Sequence, residues 1–322
     1  MKTLISEIKG SNNGTDVNSC FCVKRRNPMK AYSKGFMFNV NLVDKSGEIV
    51  LNYWGGKNET AVQTVYASCT EDVIVYVAGK VGEFRGKKID VNAGFGEIRQ
   101  AESDEYTLDD FVVTTNQNIE ELWSEIIETK NSLNNVHLKN LLDDFFNDST
   151  FVNNFKTAPA AMKIHHSCVG GLLEHTWEVL RYCMAVADVH LSLDKSLLFT
   201  GAILHDIGKI KSFNVSMQIK PSKSGILVGH ISIGTEMIHE KISKQPNFPI
   251  VLKDKIIHMI LSHHGKLEYG AVVEPKLPEA ATLHQADMMG SKITQYIRAK
   301  KDATTDGFQS GWNKYIGSVF LE

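Results

Sequence analysis

Five short stretches in the second half of the chain carry side chains suited to holding metal ions. They read Leu-Glu-His175-Thr, Leu-His205-Asp206-Ile-Gly-Lys209, Gly-His230-Ile-Ser, Ser-His263-His264-Gly and Gln-Ala-Asp287. Of twelve histidines, eleven fall between His165 and His284, and none precedes His137. One histidine on an apolar helix face is ordinarily a satisfied core residue. That explanation has to be repeated too many times here, so the pattern points to a metal site.

Imidazole and carboxylate together suit divalent first-row ions such as Mn²⁺, Fe²⁺, Co²⁺ or Zn²⁺, with Mg²⁺ the harder alternative, whereas thiolate would mark a closed structural zinc. The seven candidate ligands, His175, His205, Asp206, His230, His263, His264 and Asp287, exceed what one tetrahedral site can use. Two ions are the economical expectation. Paired ions about 3.5–4 Å apart convert a bound water to hydroxide near neutral pH and stabilise both oxygens of an in-line displacement, as in nucleases and phosphatases. Asp206 is then the candidate for a catalytic as well as a ligating role. Lys209, one turn beyond it, and Lys266, two residues after His264, are candidates to neutralise a non-bridging phosphate oxygen, against the competing role of a surface salt bridge.

The elements that position these groups read as helices. Apolar side chains recur at helical spacing from Leu172 to Leu180, Leu197 to Leu204, Ile231 to Ile242, Ile256 to Leu261 and Ala280 to Ile293. Glycine after the His205-Asp206 doublet predicts a helix end at Gly208. Adjacent ligands on a regular helix diverge by about 100°, so the doublet could serve two ions or one ion and a bridging atom. Lys220 to Val228 reads as a loop, with Pro221 and Gly225 as breakers.

The first hundred residues have a different period. Phe36, Phe38, Val40 and Leu42 alternate with Met37, Asn39, Asn41 and Val43, a turn follows at Asp44-Lys-Ser-Gly47, and Ile49, Leu51 and Tyr53 resume the alternation. Val73 to Ala78, Ile89 and Val91 add further strands, and Glu59 to Ala67 is the one helix-length interruption. Four or five strands with glycines at the bends suit a small closed barrel. Lys24-Arg25-Arg26, Lys30 and Lys34 precede the first clear strand, while Trp54 and Phe84-Arg85 stand near strand ends. Cations interleaved with aromatics fit a single-strand nucleic-acid groove, and core packing with a solvated edge is the competing account. From residue 102 to 150, twelve acidic residues face only Lys130 and Lys139, which reads as a loop to Asn116 followed by two helices with solvated acidic faces.

Bulk composition sets the frame. At 322 residues, 43% apolar and 22% charged, the chain is an ordinary globular sequence long enough for two cores. A net charge of −2 gives no global sign of nucleic-acid binding. Five scattered cysteines form no disulfide framework, and Cys20-Phe-Cys22 lacks the spacing of a metal knuckle. The N-terminal residues lack a signal-peptide core and no stretch approaches a membrane span, so a soluble cytoplasmic protein without membrane partners is expected.

In this order, His175, His205-Asp206 and Asp287 resemble the ligand set of the HD-domain superfamily of metal-dependent phosphohydrolases, and His230 with His263-His264 resemble the extra histidines of its two-metal phosphodiesterase branches. The chain is similar to YhaM-type 3′-to-5′ exoribonucleases, which place an oligonucleotide-binding (OB) barrel ahead of an HD domain. The shared stretches include Val43-Asp44-Lys45-Ser46-Gly47-Glu48-Ile49, His165-His166, Ile203-Leu204-His205-Asp206-Ile207-Gly208-Lys209, Gly229-His230-Ile231-Ser232-Ile233, Leu261-Ser262-His263-His264-Gly265-Lys266 and Leu283-His284. They cover most of residues 36 to 290; Asn18 to Gly35 and the tail after Asp302 fall outside the resemblance.

The resemblance implies a cytoplasmic enzyme that removes nucleotides from the 3′ end of single-stranded RNA, with single-stranded DNA an open alternative, using a divalent ion for which Mn²⁺ is the family's usual choice. The polarity comes wholly from the resemblance. The expected architecture is an all-β OB-type barrel over residues 1–102, an acidic linker and leading helix over 103–130, and an all-α HD domain over 131–322, with assembly into oligomers left open. Expected substrate contacts are His165, His166, Lys266, Trp54, Phe84 and Arg85, against packing or a helix cap for the two histidines. Two rivals share the sequence: an HD phosphohydrolase of cyclic dinucleotides or free nucleotides, which has no use for a barrel, and a non-catalytic single-strand-binding protein, which has no use for clustered imidazoles.

Overall fold

Strands of period two and helices of period 3.6 separate cleanly along the chain. The structure is a computed structural model that describes residues 2–162, 166–215, 218–301, 303, 307–313 and 316–321. The chain divides into two units, the first reaching Val113 and the second, apart from Gln218, beginning at Thr114. No helix among the described residues is long and apolar enough to cross a membrane.

The first unit contains α1 (Ile5–Gly10), β1 (Asp16–Arg26), β2 (Lys30–Tyr32), β3 (Gly35–Asp44), β4 (Gly47–Trp54), α2 (Glu59–Ser68), β5 (Ile74–Glu83), β6 (Lys87–Asn92) and β7 (Glu97–Gln100). Strands β1, β3, β4, β6 and β5 pair in that order, and β5 pairs back with β1, so five strands close into a ring. Among the described strands the β4–β6 pairing is the parallel one, with Leu51 opposite Ile89 and Tyr53 opposite Val91. With α2 between the third and fourth barrel strands, this is the OB-type barrel expected. The alternation in β3 does what it must: Phe38, Val40 and Leu42 are buried against Phe21, Leu51 and Ile89. Buried Asp44 holds the β3–β4 turn, its Oδ1 accepting from the Ser46 amide at 2.7 Å while Oδ2 caps α1 at the Ile5 amide, also at 2.7 Å.

Two expectations for this unit change. A strand, β1, contains the Lys24-Arg25-Arg26 cluster that was placed ahead of the first strand. Its alternation is hidden because both faces are covered: Phe21 and Val23 enter the barrel, while Cys20 and Cys22 pack outside it with Ile74 and Phe111. The two thiols are therefore packing residues, and the segment carrying Phe111 belongs to this unit. Helix α1, six residues long, is too short to show a period.

The second unit contains α3 (Ile119–Asn131), α4 (Val136–Phe146), α5 (Ser149–Thr157), α6 (Gly171–Val189), α7 (Lys195–Leu204), α8 (Lys209–Ser212), β8 (Phe213–Val215), β9 (Ile219–Pro221), α9 (Lys223–Leu227), α10 (His230–Ser243), α11 (Ile250–Ser262) and α12 (Pro278–Lys301). Asn118, Asn135, Asp148 and Asp194 cap α3, α4, α5 and α7 through their side chains. Nine of the ten residues of α7 are buried, so this helix is the axis of the unit, with α6, α11 and α12 packed around it. Three details differ from the sequence expectation. Helix α7 ends at Leu204 rather than Gly208; the segment read as a loop, Lys220 to Val228, contains part of the β8–β9 hairpin and all of α9; and α5 is an additional helix. These pieces are shorter than the window in which a period can be recognised.

Candidate metal centre

Each candidate ligand stands on or beside a helix of the second unit. His175 is on the buried face of α6, His205 caps the C-terminus of α7, and Asp206 follows in the turn. His230 is the first residue of α10, His263 caps α11 with His264 next, and Asp287 is on α12. Gly208 makes part of this convergence feasible. A Cβ there would lie 1.9 Å from the His230 carbonyl oxygen and 2.6 Å from the Gly234 amide nitrogen, so only glycine lets α10 begin against the His205-Asp206 turn.

All seven residues come together, and they sort into two groups about one carboxylate. In the first, His175 Nε2 lies 3.2 Å from both Asp287 Oδ1 and His205 Nε2, and Asp206 Oδ2 stands 3.4 Å from His175 Nε2 and 3.2 Å from His205 Nε2. The second group is His230, His263 and His264, whose ligand atoms lie within 4.8 Å of one another. Asp206 Oδ1 faces this side, 3.4 Å from His230 Nε2 and 3.7 Å from His263 Nε2. The aspartate thus presents one oxygen to each group. Asp206, in a turn rather than a helix, is the member of the doublet that faces both groups, and His205 faces the first.

The proton positions favour a cation. A carbonyl oxygen only accepts, so the bonds from His205 Nδ1 to Ala202 O (2.8 Å), His263 Nδ1 to Ile260 O (2.7 Å) and His264 Nδ1 to Tyr269 O (3.0 Å) place the hydrogen on Nδ1. That leaves Nε2 of each ring as the atom turned toward the other candidate ligands, with His205 Nε2 3.2 Å from His175 Nε2, the arrangement that metal-ligating histidines adopt. Among the described residues, buried His230 Nε2, His263 Nε2 and Asp206 Oδ1 have no hydrogen-bond partner. Leaving such atoms unsatisfied costs about 1–3 kcal/mol each, a penalty that a shared cation removes.

Charge follows the same logic. Burial pushes the His230 imidazole down to about 4 and lowers His263 well below its ordinary value. Burial works against Asp206, but Lys209 and His205 hold its carboxyl well below the carboxylate range. Burial likewise opposes ionisation of Asp287, and His175 overrides it. The same two carboxylates raise the His175 imidazole against its burial, so the set combines two ionised acids with the low-lying imidazoles of His230 and His263, and a divalent cation would take the place of the proton the carboxylates favour on His175.

The remaining candidates fall in different places. Lys209 Nζ lies 2.5 Å from Asp206 Oδ2 and lines a cleft of about 390 Å³ with Asp206, His264, Tyr269, His284 and Asp287. Lys266 is exposed, 3.4 Å from Glu268, and does not line that cleft. His166 stands beside His175, bracketed by Glu174 at 3.3 Å and Glu178 at 2.9 Å; burial opposes its protonation, but the two carboxylates lift it to about 9. His165 lies outside the described residues. Glu174, Glu178 and Tyr269 received no role in the sequence. The two glutamates, four apart and flanking His175, were legible as one helix face.

In the barrel unit, Trp54 lines a cleft of about 590 Å³ with Tyr32, Lys34, Lys80, Asp90 and Phe95. Its indole Nε1 donates to Asp90 Oδ1 at 2.9 Å and its ring meets Tyr32 edge-on at 5.4 Å. Phe84 and Arg85 sit outside this cleft on the β5–β6 turn, the guanidinium 5.5 Å from an exposed ring. Phe95, 97% exposed on the β6–β7 turn, was not singled out. Within the basic cluster, Lys24 pairs with Glu48 and Arg26 stacks 4.0 Å over Tyr66, so neither is an unengaged cation.

Comparison with known proteins agrees with this architecture. The HD domain family matches residues 172–289. The 3'-5' exoribonuclease YhaM of Bacillus velezensis is 33% identical over 293 residues, 89% of this chain and 88% of its own length. The protein of the same name from Listeria monocytogenes serotype 4b is 33% identical over 264 residues, covering 81% of this chain and 80% of the relative. That of Bacillus subtilis is 32% identical over 280 residues, covering 84% and 85% respectively.

Proposed function

The chain belongs to the family of YhaM 3'-5' exoribonucleases, and we propose that it hydrolyses single-stranded RNA from the 3′ end to nucleoside monophosphates. The observation that carries this is Asp206 standing between two groups of inward-facing ligands.

In this reading, His175, His205, Asp206 and Asp287 hold one divalent ion and His230, His263, His264 and Asp206 a second, with Mn²⁺ the ion used. Bound there, such ions supply a water acidified to near neutrality and positive charge for the phosphodiester. The chain's own groups do the rest. The backbone bonds at Nδ1 fix His205, His263 and His264 with their lone pairs inward. Lys209, at the cleft wall beside Asp206, offsets charge that builds on a non-bridging phosphate oxygen. His166 and its two glutamates brace α6 behind His175. The barrel, over about the first hundred residues, binds the strand through stacking on Trp54 and Phe95, with Phe84-Arg85 on its rim. The place of action is taken as the cytoplasm, with single-stranded DNA the alternative substrate.

The test is incubation of 3′- and 5′-labelled oligoribonucleotides with purified protein and each divalent ion in turn, separated on a sequencing gel. A ladder shortening from the 3′ end, dependent on Mn²⁺, is expected. Internal cuts, or hydrolysis of a cyclic dinucleotide with RNA left intact, would contradict the proposal.

A further inference from the structure

His284 stands one turn before Asp287 on α12 and is 9% exposed. Its Nδ1 lies 2.9 Å from the His263 carbonyl oxygen, which only accepts, so the Nδ1 hydrogen is committed there. With the Nδ1 hydrogen placed there, Nε2 is the ring atom left to meet a further partner. That atom has no hydrogen-bond partner among the described residues, yet it is not among the fully enclosed atoms, and the residue lines the metal cleft. The tautomer matches that of the ligand histidines, but His284 belongs to none of the groups whose ligand atoms converge within 4.8 Å. Space for the ring is kept by Gly265: a Cβ there would fall 2.3 Å from His284 Nε2 and 2.2 Å from its Cε1, and φ is +81°. A side chain at 265 would expel the imidazole.

His284 lines the cleft together with Asp206 and Asp287, so an acceptor at Nε2 would be matched by a donor on the substrate. Phosphate oxygens are acceptors and do not qualify. Base amino groups differ from one nucleotide to the next. The hydroxyls of the terminal ribose are donors present on every RNA 3′ end, attached to the nucleotide whose phosphate the ligand groups would hold. We propose that His284 Nε2 accepts a hydrogen bond from a hydroxyl of the 3′-terminal ribose and so reads the end of the strand. The inference rests on the exoribonuclease function proposed above and adds the residue that recognises the sugar. The 2′-hydroxyl would give preference for RNA, and the 3′-hydroxyl would give preference for a free end.

The test uses full-length wild type, His284→Asn and His284→Gln with Mn²⁺ on three 5′-labelled oligoribonucleotides: an intact end, a 2′-deoxy terminal nucleotide and a 3′-deoxy terminal nucleotide. Asparagine keeps an amide nitrogen in the place of Nδ1 and lacks any counterpart of Nε2, whereas glutamine puts an amide oxygen near Nε2. Wild type is expected to remove the intact terminal nucleotide about tenfold faster than one of the deoxy ends, the worth of one hydrogen bond. The ratio should fall toward one in His284→Asn and be partly kept in His284→Gln. The deoxy end that shows the effect identifies the hydroxyl. A merely structural role would slow all three substrates alike, and a ratio unchanged in His284→Asn, or a wild type indifferent to both deoxy ends, overturns the inference alone. If wild type shortens none of them, the exoribonuclease function falls and this inference with it.

Discussion

Asp206 is where the candidate ligands converge, since its two oxygens face separate groups of imidazoles. Replacing it should disturb both groups at once. Asp206→Ala is expected to abolish hydrolysis and to lower bound metal by at least one equivalent, measured by elemental analysis, while binding to a single strand persists; wild-type turnover would contradict its role. The depressed imidazole of His230 gives a pH signature in metal-stripped protein. Its folded value, about 4, lies below the ordinary histidine value of about 6.5, so the unfolded chain takes up the proton first as pH falls. Stability should therefore drop as pH falls from about 6.5 to about 4. In His230→Asn the thermal melting point should change less over that window, and an identical slope would count against burial as the cause. These candidate ligands were legible as a set because residue type and order survive in sequence. The division into two groups was not, since it depends on which oxygen of one carboxylate faces which ring.

The ligands share a placement at the level of elements: several stand at helix ends. His205 and His263 cap α7 and α11, and His230 opens α10, so small displacements of these helices move ligands directly. Gly208→Ala should force the start of α10 away from the turn, because the added methyl would fall 1.9 Å from the His230 carbonyl oxygen. Metal titration by calorimetry should then show weakened binding at the His230 group, with the His175 group largely spared; equal weakening at both would contradict the geometry. The long helices were readable from the period of Leu172 to Leu180 and Ile231 to Ile242 because one face is buried and the other wet. Helix α7 was readable from the spacing of Leu197 to Leu204, and its end at Leu204 was missed because His205 and Gly208 in the turn keep right-handed helical backbone. Strand β1 escaped because Cys20, Cys22, Phe21 and Val23 are buried on both faces, which erases alternation.

At the scale of the whole molecule, two units with different periods are joined in one chain: a closed barrel and a helical unit with the ligands. If the barrel holds the strand as proposed, it contributes to the binding of long oligoribonucleotides and little to that of dinucleotides. Trp54→Ala and Phe95→Ala are expected to weaken binding of long oligoribonucleotides by about 1–3 kcal/mol each, with dinucleotides much less affected. Equal losses at both lengths, measured by fluorescence anisotropy and competition, would mean these rings do not stack on bases. The barrel was legible in Phe38, Val40 and Leu42, whereas its cleft was legible only through Lys34 and Trp54. Lys24 and Arg26, which looked available in sequence, are engaged with Glu48 and Tyr66. The most direct test of the central claim is anomalous diffraction from crystals grown with Mn²⁺. Two peaks on opposite sides of Asp206, one among His175, His205 and Asp287 and one among His230, His263 and His264, are the predicted result; no peak beside Asp206, or a single peak outside these groups, would contradict it.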